Sequence, residues 1–181
     1  MTLEEIRQAI PDAAKDIRLN LTAVLENGPP LTAEQRWGTA LATALATRSV
    51  RLRDAILADW PAAVPATVVE EAQAAAALMA MNNVYYRFRH FMSEGGKDSY
   101  GSMPARLRMQ RLGKPSTNKA DLELLCLAVS AVNGCEMCVQ SHEKVVLSGG
   151  LTEEHVHEAV RIGAVMQAVA QSLELGGSPV V

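Results

Sequence analysis

Helix-start signals recur along this chain of 181 residues, and they constrain its fold more than any other feature. Thr2 and Thr32 each stand three residues before a glutamate or glutamine, which is the spacing of a helix capping box. Asn118 and Thr152 stand before long runs with apolar residues at helical spacing. Alternating β-branched residues are scarce, and aromatic residues make up only 4% of the sequence, whereas strands favour both types. The sequence therefore predicts an all-α fold of eight or nine helices without a sheet.

Three segments rich in glycine or proline interrupt the helical runs, at residues 26–30, 93–104 and 148–152. The runs also contain a weak internal repeat, in which residues 34–49 align with 123–138 and residues 77–86 align with 162–171. This alignment, at offsets of 89 and 85, pairs Ala46, Ser49 and Arg53 with Cys135, Cys138 and His142. We predict a single compact helical domain over residues 1–181. Its N-terminal repeat covers about 11–95, and its C-terminal repeat, which carries the cysteines, covers about 104–175.

The composition excludes several functional classes. Hydrophobic residues make up 49% of the chain, which is enough for a sizeable core. The net charge is −3 and the 17 basic residues are dispersed, so nothing favours nucleic acid or an anionic membrane as a partner. Glu70, Glu71 and Gln73 interrupt the most apolar stretch, at 62–81, so we predict no membrane span. The acidic N-terminus lacks the features of a secretory signal, and we expect a cytoplasmic protein.

The segment Asn-Gly-Cys-Glu-Met-Cys-Val-Gln-Ser-His-Glu, residues 133–143, concentrates the reactive side chains of the chain. Asn133 and Gly134 predict a helix break, which would leave Cys135 near a helix N-terminus. On a helix, Cys135, Cys138 and His142 share one face, and the two cysteine Cα atoms lie roughly 5 Å apart. That separation suits a disulfide, which would close a tiny loop and add little stability. The spacing therefore favours a working bond over a structural one.

Groups in and near this segment can favour ionisation of a cysteine thiol. A helix N-terminus and a nearby imidazole both lower the pKa of a cysteine. Glu123 precedes the motif by twelve residues and has apolar neighbours, Leu122 and Leu124. A carboxylate in such surroundings is costly without a partner, so we predict that Glu123 faces the cysteines and has a functional role.

Other interpretations of the cysteines also exist. A Cys-x-x-Cys can be half of a zinc site, but zinc usually takes four ligands and the chain has no second such pair. A passive buried pair is another alternative. The third cysteine, Cys126, lies alone in an apolar run and is predicted to be a core residue. On the residues alone we favour a redox dithiol with no bound metal.

Several segments resemble the alkyl hydroperoxide reductase D proteins of the carboxymuconolactone-decarboxylase-like superfamily. They are residues 10–21, 36–48 and 79–89, together with the Glu…Cys-x-x-Cys-x-x-x-His pattern of residues 123–143. The resemblance spans nearly the whole chain and implies an all-helical protein with an internal repeat that forms homotrimers. It also implies an antioxidant peroxidase that reduces organic hydroperoxides without a bound metal, flavin or haem.

The resemblance implies a role for each residue of the pattern. Cys138 would attack the hydroperoxide and become a sulfenic acid, and Cys135 would resolve it into a disulfide. Glu123 and His142 would carry protons. Dihydrolipoamide, the lipoyl group of an acyltransferase in a 2-oxoacid dehydrogenase complex, would reduce the disulfide. The alternative partner is the peroxiredoxin alkyl hydroperoxide reductase C.

One position departs from the pattern. Family members often have a histidine immediately before the second cysteine, where this chain has Met137. Methionine cannot relay a proton, which affects the expected rate and donor preference more than the class of reaction. Two alternative functions stay open. One is a lactone-decarboxylase-like enzyme of the same superfamily, whose members generally lack the cysteine pair, and the other is a non-catalytic thiol sensor.

Overall fold

Helices make up the regular structure of residues 1–26 and 28–175, which the computed structural model describes. Nine α-helices lie in these ranges: α1 (Leu3–Ala9), α2 (Lys15–Leu25), α3 (Ala33–Ala46), α4 (Val50–Ala58), α5 (Ala66–Glu94), α6 (Ser99–Ser102), α7 (Lys119–Val132), α8 (Glu136–Ser148) and α9 (Glu153–Leu175). The same ranges contain no strand, which confirms the all-α prediction. The predicted domain over 1–181 includes residues 176–181, which lie outside the described residues. The predicted break at 26–30 includes Asn27, which also lies outside them.

Local capping explains where the helices begin. Thr2 and Thr32 both form complete capping boxes, in which the threonine hydroxyl and the side chain three residues later each accept a backbone N–H. The Asn118 side chain accepts the backbone N–H three residues later, at the start of α7. Thr152 directly precedes α9 and contacts the imidazole of His155. Caps of this kind contribute about 1 kcal/mol each, so the predicted helix starts have an energetic basis.

The core forms around two helices that are buried on nearly all sides. α7 packs against α3, α5, α8 and α9, and α3 packs against α5, α7 and α9. Small residues allow this close approach: a Cβ added at Gly38 of α3 would lie 2.9 Å from the Val68 side chain of α5. One cluster of buried apolar side chains includes residues from both halves of the chain. Because α7 carries Glu123, this packing buries the Glu123 side chain.

The two halves show the same order of helices, with a different register from the one predicted. α3, α4 and α5 begin at residues 33, 50 and 66, and α7, α8 and α9 begin at 119, 136 and 153. The offsets are therefore 86, 86 and 87 in place of 89 and 85. Ser49 and Cys135 both occupy N-cap positions, so the helix boundaries contradict the predicted pairing of Ser49 with Cys138. A shift of three residues is close to one helical turn, so the apolar pattern did not distinguish the two registers. The division into repeats at about 11–95 and 104–175 stays a prediction.

The longest helix, α5, has an exposed apolar face near its C-terminal end. Val84, Phe88 and Phe91 are 62%, 44% and 58% exposed, and their spacing places them on one side of the helix. We call these three residues the α5 apolar face. Among the helices of the described ranges, none combines the length and the hydrophobicity needed to cross a membrane.

Candidate active site

The turn between α7 and α8 positions the cysteine motif. Asn133 caps the C-terminus of α7, and Gly134 follows with φ of +65°, a left-handed conformation that suits glycine. The side-chain amide of Asn133 donates to the side-chain oxygen of Asn83 in α5 at 2.9 Å, and the backbone carbonyl of Asn133 accepts from Arg87. The predicted break is therefore present, and its contacts with α5 fix where α8 begins.

The two cysteines lie at the start of α8. Cys135 is the N-cap residue and Cys138 is the third residue of the helix. Their Cα atoms are 5.3 Å apart, close to the expected separation, and their sulfur atoms are paired as in a disulfide. Both side chains are buried. The partial positive charge at a helix N-terminus favours a thiolate at Cys138 once the disulfide is reduced.

Glu123 and His142 form a buried pair between α7 and α8. The imidazole Nδ1 hydrogen-bonds Glu123 Oε2, and the other carboxylate oxygen, Oε1, pairs with Lys119. Burial alone would raise the pKa of Glu123, but the hydrogen bonds from His142 and Lys119 outweigh it and hold the pKa below its ordinary value. Glu123 is thus an ionised carboxylate that keeps a proton on Nδ1 of His142 and fixes the orientation of the ring.

The second nitrogen of His142 faces a methionine. Its Nε2 lies 3.2 Å from the sulfur of Met79, a fully buried residue of α5. Met79 is a core residue that also contacts the imidazole. A thioether is a weak acceptor, so it accommodates a protonated Nε2 without binding the proton tightly. Nε2 therefore lacks the strong hydrogen-bond partner that Nδ1 has in Glu123.

A cavity of about 380 Å³ opens over Cys138 and His142. Met109, Leu112 and Met137 contribute apolar side chains to its lining. Asn82, Tyr86 and Ser141 contribute polar groups. Its volume is in the range of small-molecule sites in proteins. The arrangement exposes one sulfur and one imidazole to a small ligand that has an apolar part.

A buried carboxylate holds the segment that carries Leu112. Oε2 of Glu71, in α5, accepts the backbone N–H of Ser116 and of Thr117 and also pairs with Arg111. We call this group the Glu71 clamp. At the other end of the segment, Lys119 donates to the carbonyl of Leu112 at 2.7 Å. Lys119 therefore connects the wall of the cavity to the carboxylate of Glu123.

The structure brings together the four residues predicted from the sequence. Cys138 and His142 face the cavity, Glu123 lies behind His142, and Cys135 lies next to Cys138 with 1% of its surface exposed. Their catalytic roles stay predictions. Within residues 1–26 and 28–175, no group of three or more His, Cys, Asp or Glu could hold a metal ion.

Sequence reasoning missed several residues around this site. Lys119 stands four residues before Glu123, and that spacing on a helix could have indicated the ion pair. Asn82 and Tyr86 had no comparable signal, and Glu71 was noted only as an interruption of an apolar stretch. All three lie in α5, about 45 to 65 residues before the motif, and reach the site only through helix packing.

The sequence of this chain is similar to those of several known proteins. The sequence pattern of the carboxymuconolactone decarboxylase family matches residues 99–175, which include both cysteines. A protein named alkyl hydroperoxide reductase AhpD from Anaeromyxobacter sp. (strain K) is 63% identical over 176 residues, covering 97% of this chain and 92% of the relative. AhpD proteins of Rhodopseudomonas palustris (strain BisA53) and Solibacter usitatus (strain Ellin6076) are 48% and 43% identical, and they cover 98% and 99% of this chain and 96% and 99% of their own.

These matches extend over nearly the full length of the chain, and the first reaches 63% identity. They confirm the resemblance inferred from residues 123–143. The chain belongs to the AhpD family of the carboxymuconolactone-decarboxylase-like superfamily.

Proposed function

We propose that this protein is a thiol peroxidase that reduces organic hydroperoxides with Cys138 and Cys135. The observation that carries the proposal is the pair of cysteines at the N-terminus of α8, beside a buried Glu123–His142 pair and open to a cavity. The names of the relatives support the same reaction class.

The proposed reaction uses the two sulfurs in sequence. The thiolate of Cys138 attacks the terminal oxygen of R–O–O–H, the O–O bond breaks, and the alkoxide leaves and is protonated to the alcohol. Cys138 is then a sulfenic acid, S–OH. The sulfur of Cys135 attacks Cys138, a disulfide forms, and the hydroxyl leaves as water after protonation. Cys138 takes the first role because it lines the cavity, whereas Cys135 does not.

His142 and Glu123 would move the protons. In this proposal His142 accepts the thiol proton of Cys138 and returns it to the alkoxide, as a general acid–base group. Glu123 stays ionised because its pKa is held low, and it stabilises the imidazolium between the two steps. The buried position of the pair strengthens this attraction.

The electron donor and the partners follow from the family resemblance. We propose that dihydrolipoamide, the lipoyl group of a 2-oxoacid dehydrogenase acyltransferase, reduces the disulfide, or that electrons pass to the peroxiredoxin alkyl hydroperoxide reductase C. Because the cysteines carry both electrons, the cycle requires no bound cofactor. We also propose a cytoplasmic homotrimer.

Steady-state assays with lipoamide, lipoamide dehydrogenase and NADH test the reaction and its donor. The wild-type protein should consume hydroperoxide continuously, and Cys138→Ser should not consume it at all. Cys135→Ser should stop with a sulfenic acid on Cys138, detectable with a sulfenate reagent. A thiol sensor would consume only about one hydroperoxide per dithiol. A sulfenate found on Cys135 in Cys138→Ser, and never on Cys138, would reverse the assigned roles.

A further inference from the structure

Asn82 lines the cavity, and the oxygen of its side-chain amide lacks a hydrogen-bond partner. Its side chain is 5% exposed, it lines the cavity together with Cys138 and His142, and its Oδ1 is buried without a hydrogen-bond partner. The adjacent Asn83 is fully paired by contrast, since it donates to Ser130 and accepts from Asn133, both at 2.9 Å. An unpaired buried amide destabilises a fold, so a ligand that satisfies it explains its presence.

The chemistry of a hydroperoxide matches that of a carboxamide. R–O–O–H has one O–H donor and a neighbouring oxygen that accepts, and a carboxamide has one acceptor and one N–H donor group bonded to the same carbon. We propose that Asn82 is the substrate-binding residue for the hydroperoxide group. Its Oδ1 accepts the O–H, and its Nδ2 donates to the oxygen bonded to carbon. This inference rests on the proposed peroxidase function.

The assignment also gives Asn82 a role in the transition state. When the Cys138 thiolate attacks the terminal oxygen, negative charge grows on the oxygen bonded to carbon. A fixed N–H donor at that oxygen stabilises the charge as it develops. Leu112 and Met109 line the same cavity and contact the alkyl part of the substrate. The two contacts together direct the terminal oxygen toward Cys138.

Asn82→Leu provides the test, because leucine has a similar size and no hydrogen-bonding groups. In reduced protein, we expect the rate of reaction with cumene hydroperoxide to fall on the order of 10²-fold. Alkylation of Cys138 by iodoacetamide and reduction of the disulfide by dithiothreitol should keep wild-type rates, since neither involves a hydroperoxide. Asn20→Leu, at an exposed position of α2, is the matched control and should keep all three rates.

Each result bears on the assignment. A wild-type rate of hydroperoxide reaction in Asn82→Leu would overturn it. A parallel loss of alkylation would also overturn it, because Asn82 would then act on the thiol and not on the substrate. If Asn82→Leu does not fold, Asn82→Ala allows the same three measurements without added bulk. Failure of the wild-type protein to react with hydroperoxide would instead refute the peroxidase function itself.

Discussion

Glu123 is a residue whose charge depends on two neighbours from different parts of the site. Lys119 lies one turn earlier in α7, and His142 approaches from α8. Both lower the pKa of the carboxyl against the effect of burial. The ionised form therefore stabilises the folded state above the ordinary pKa of 4.5, and this contribution is lost as the pH falls through the lower pKa of the folded protein.

Substitution of Lys119 should show how much this residue lowers the pKa of Glu123. In Lys119→Met one of the two favourable partners is lost, so the pKa of Glu123 should rise. The acidic limb of the kcat/KM profile for hydroperoxide should then move to higher pH, because Glu123 must be ionised to hold the His142 proton on Nδ1. A pH series on both proteins measures the shift. Lys15→Met, at an exposed site of α2, should leave the limb in place. An unchanged limb in Lys119→Met would mean that Lys119 does not control the ionisation of Glu123.

The proximity of the site residues was largely predictable from the sequence, because the reactive groups are close in the chain. Cys135, Cys138 and His142 lie within eight consecutive positions, and helix geometry alone predicts that they share a face. Glu123 stood out because a carboxylate in an apolar run needs a partner. Met79 offered no such signal, since a methionine in an alanine-rich helix is typical of a core. Its contact with Nε2 exists only because α5 packs beside α8.

At the scale of elements, the Glu71 clamp connects the packing of α5 to the shape of the cavity. The carboxylate is buried, and two backbone amides from residues 116 and 117 donate to one of its oxygens. Hydrogen bonds to an ionised acceptor are roughly twice as strong as neutral ones. The clamp therefore holds the segment that carries Leu112 against the helix.

Glu71→Gln should loosen this segment without unfolding the protein. Exchange of the Ser116 and Thr117 amide hydrogens should become about tenfold faster, because loss of the charge weakens their hydrogen bonds by roughly 1.4 kcal/mol. The KM for cumene hydroperoxide should rise, since Leu112 is less well positioned, whereas kcat should change little. Hydrogen exchange and steady-state kinetics measure the two effects. Glu174→Gln, an exposed site on α9, should change neither. Protected amides in Glu71→Gln would contradict the role of the clamp.

Element boundaries were predictable where local chemistry determines them. The capping boxes at Thr2 and Thr32 and the Asn133–Gly134 break each involve residues within three positions of one another. The register between the two halves was not predictable, because alanine-rich helices shifted by nearly one turn present almost the same apolar face. The N-cap positions identify the offset of 86, both for Ser49 and Cys135 and for Thr32 and Asn118.

At the scale of the whole molecule, the α5 apolar face is a group of large apolar side chains that a monomer leaves exposed to solvent. Val84, Phe88 and Phe91 lie on one side of a long helix, and contiguous apolar surface of this kind often marks an interface. The homotrimer remains a prediction. Light scattering at micromolar concentration should give a mass near three times 19.4 kDa.

A charge on this face should weaken the predicted assembly. Phe91→Glu should lower the measured mass, because the carboxylate would lose its hydration on association. Leu19→Glu replaces an apolar residue of α2 that is even more exposed, at 70%, and should keep the wild-type mass. A monomeric wild-type protein up to millimolar concentration would contradict the trimer. A trimer that Phe91→Glu leaves intact would locate the interface elsewhere.

Cys126 lies fully buried in the middle of α7, and burial raises the pKa of its thiol far above the usual range. Exchange between thiols and disulfides requires a thiolate that can reach a sulfur, and Cys126 meets neither condition. The disulfide of Cys135 and Cys138 therefore has no third sulfur with which to rearrange. Each chain therefore has one pair of cysteines that can form a disulfide, so repeated disulfide formation within the chain returns the same connectivity.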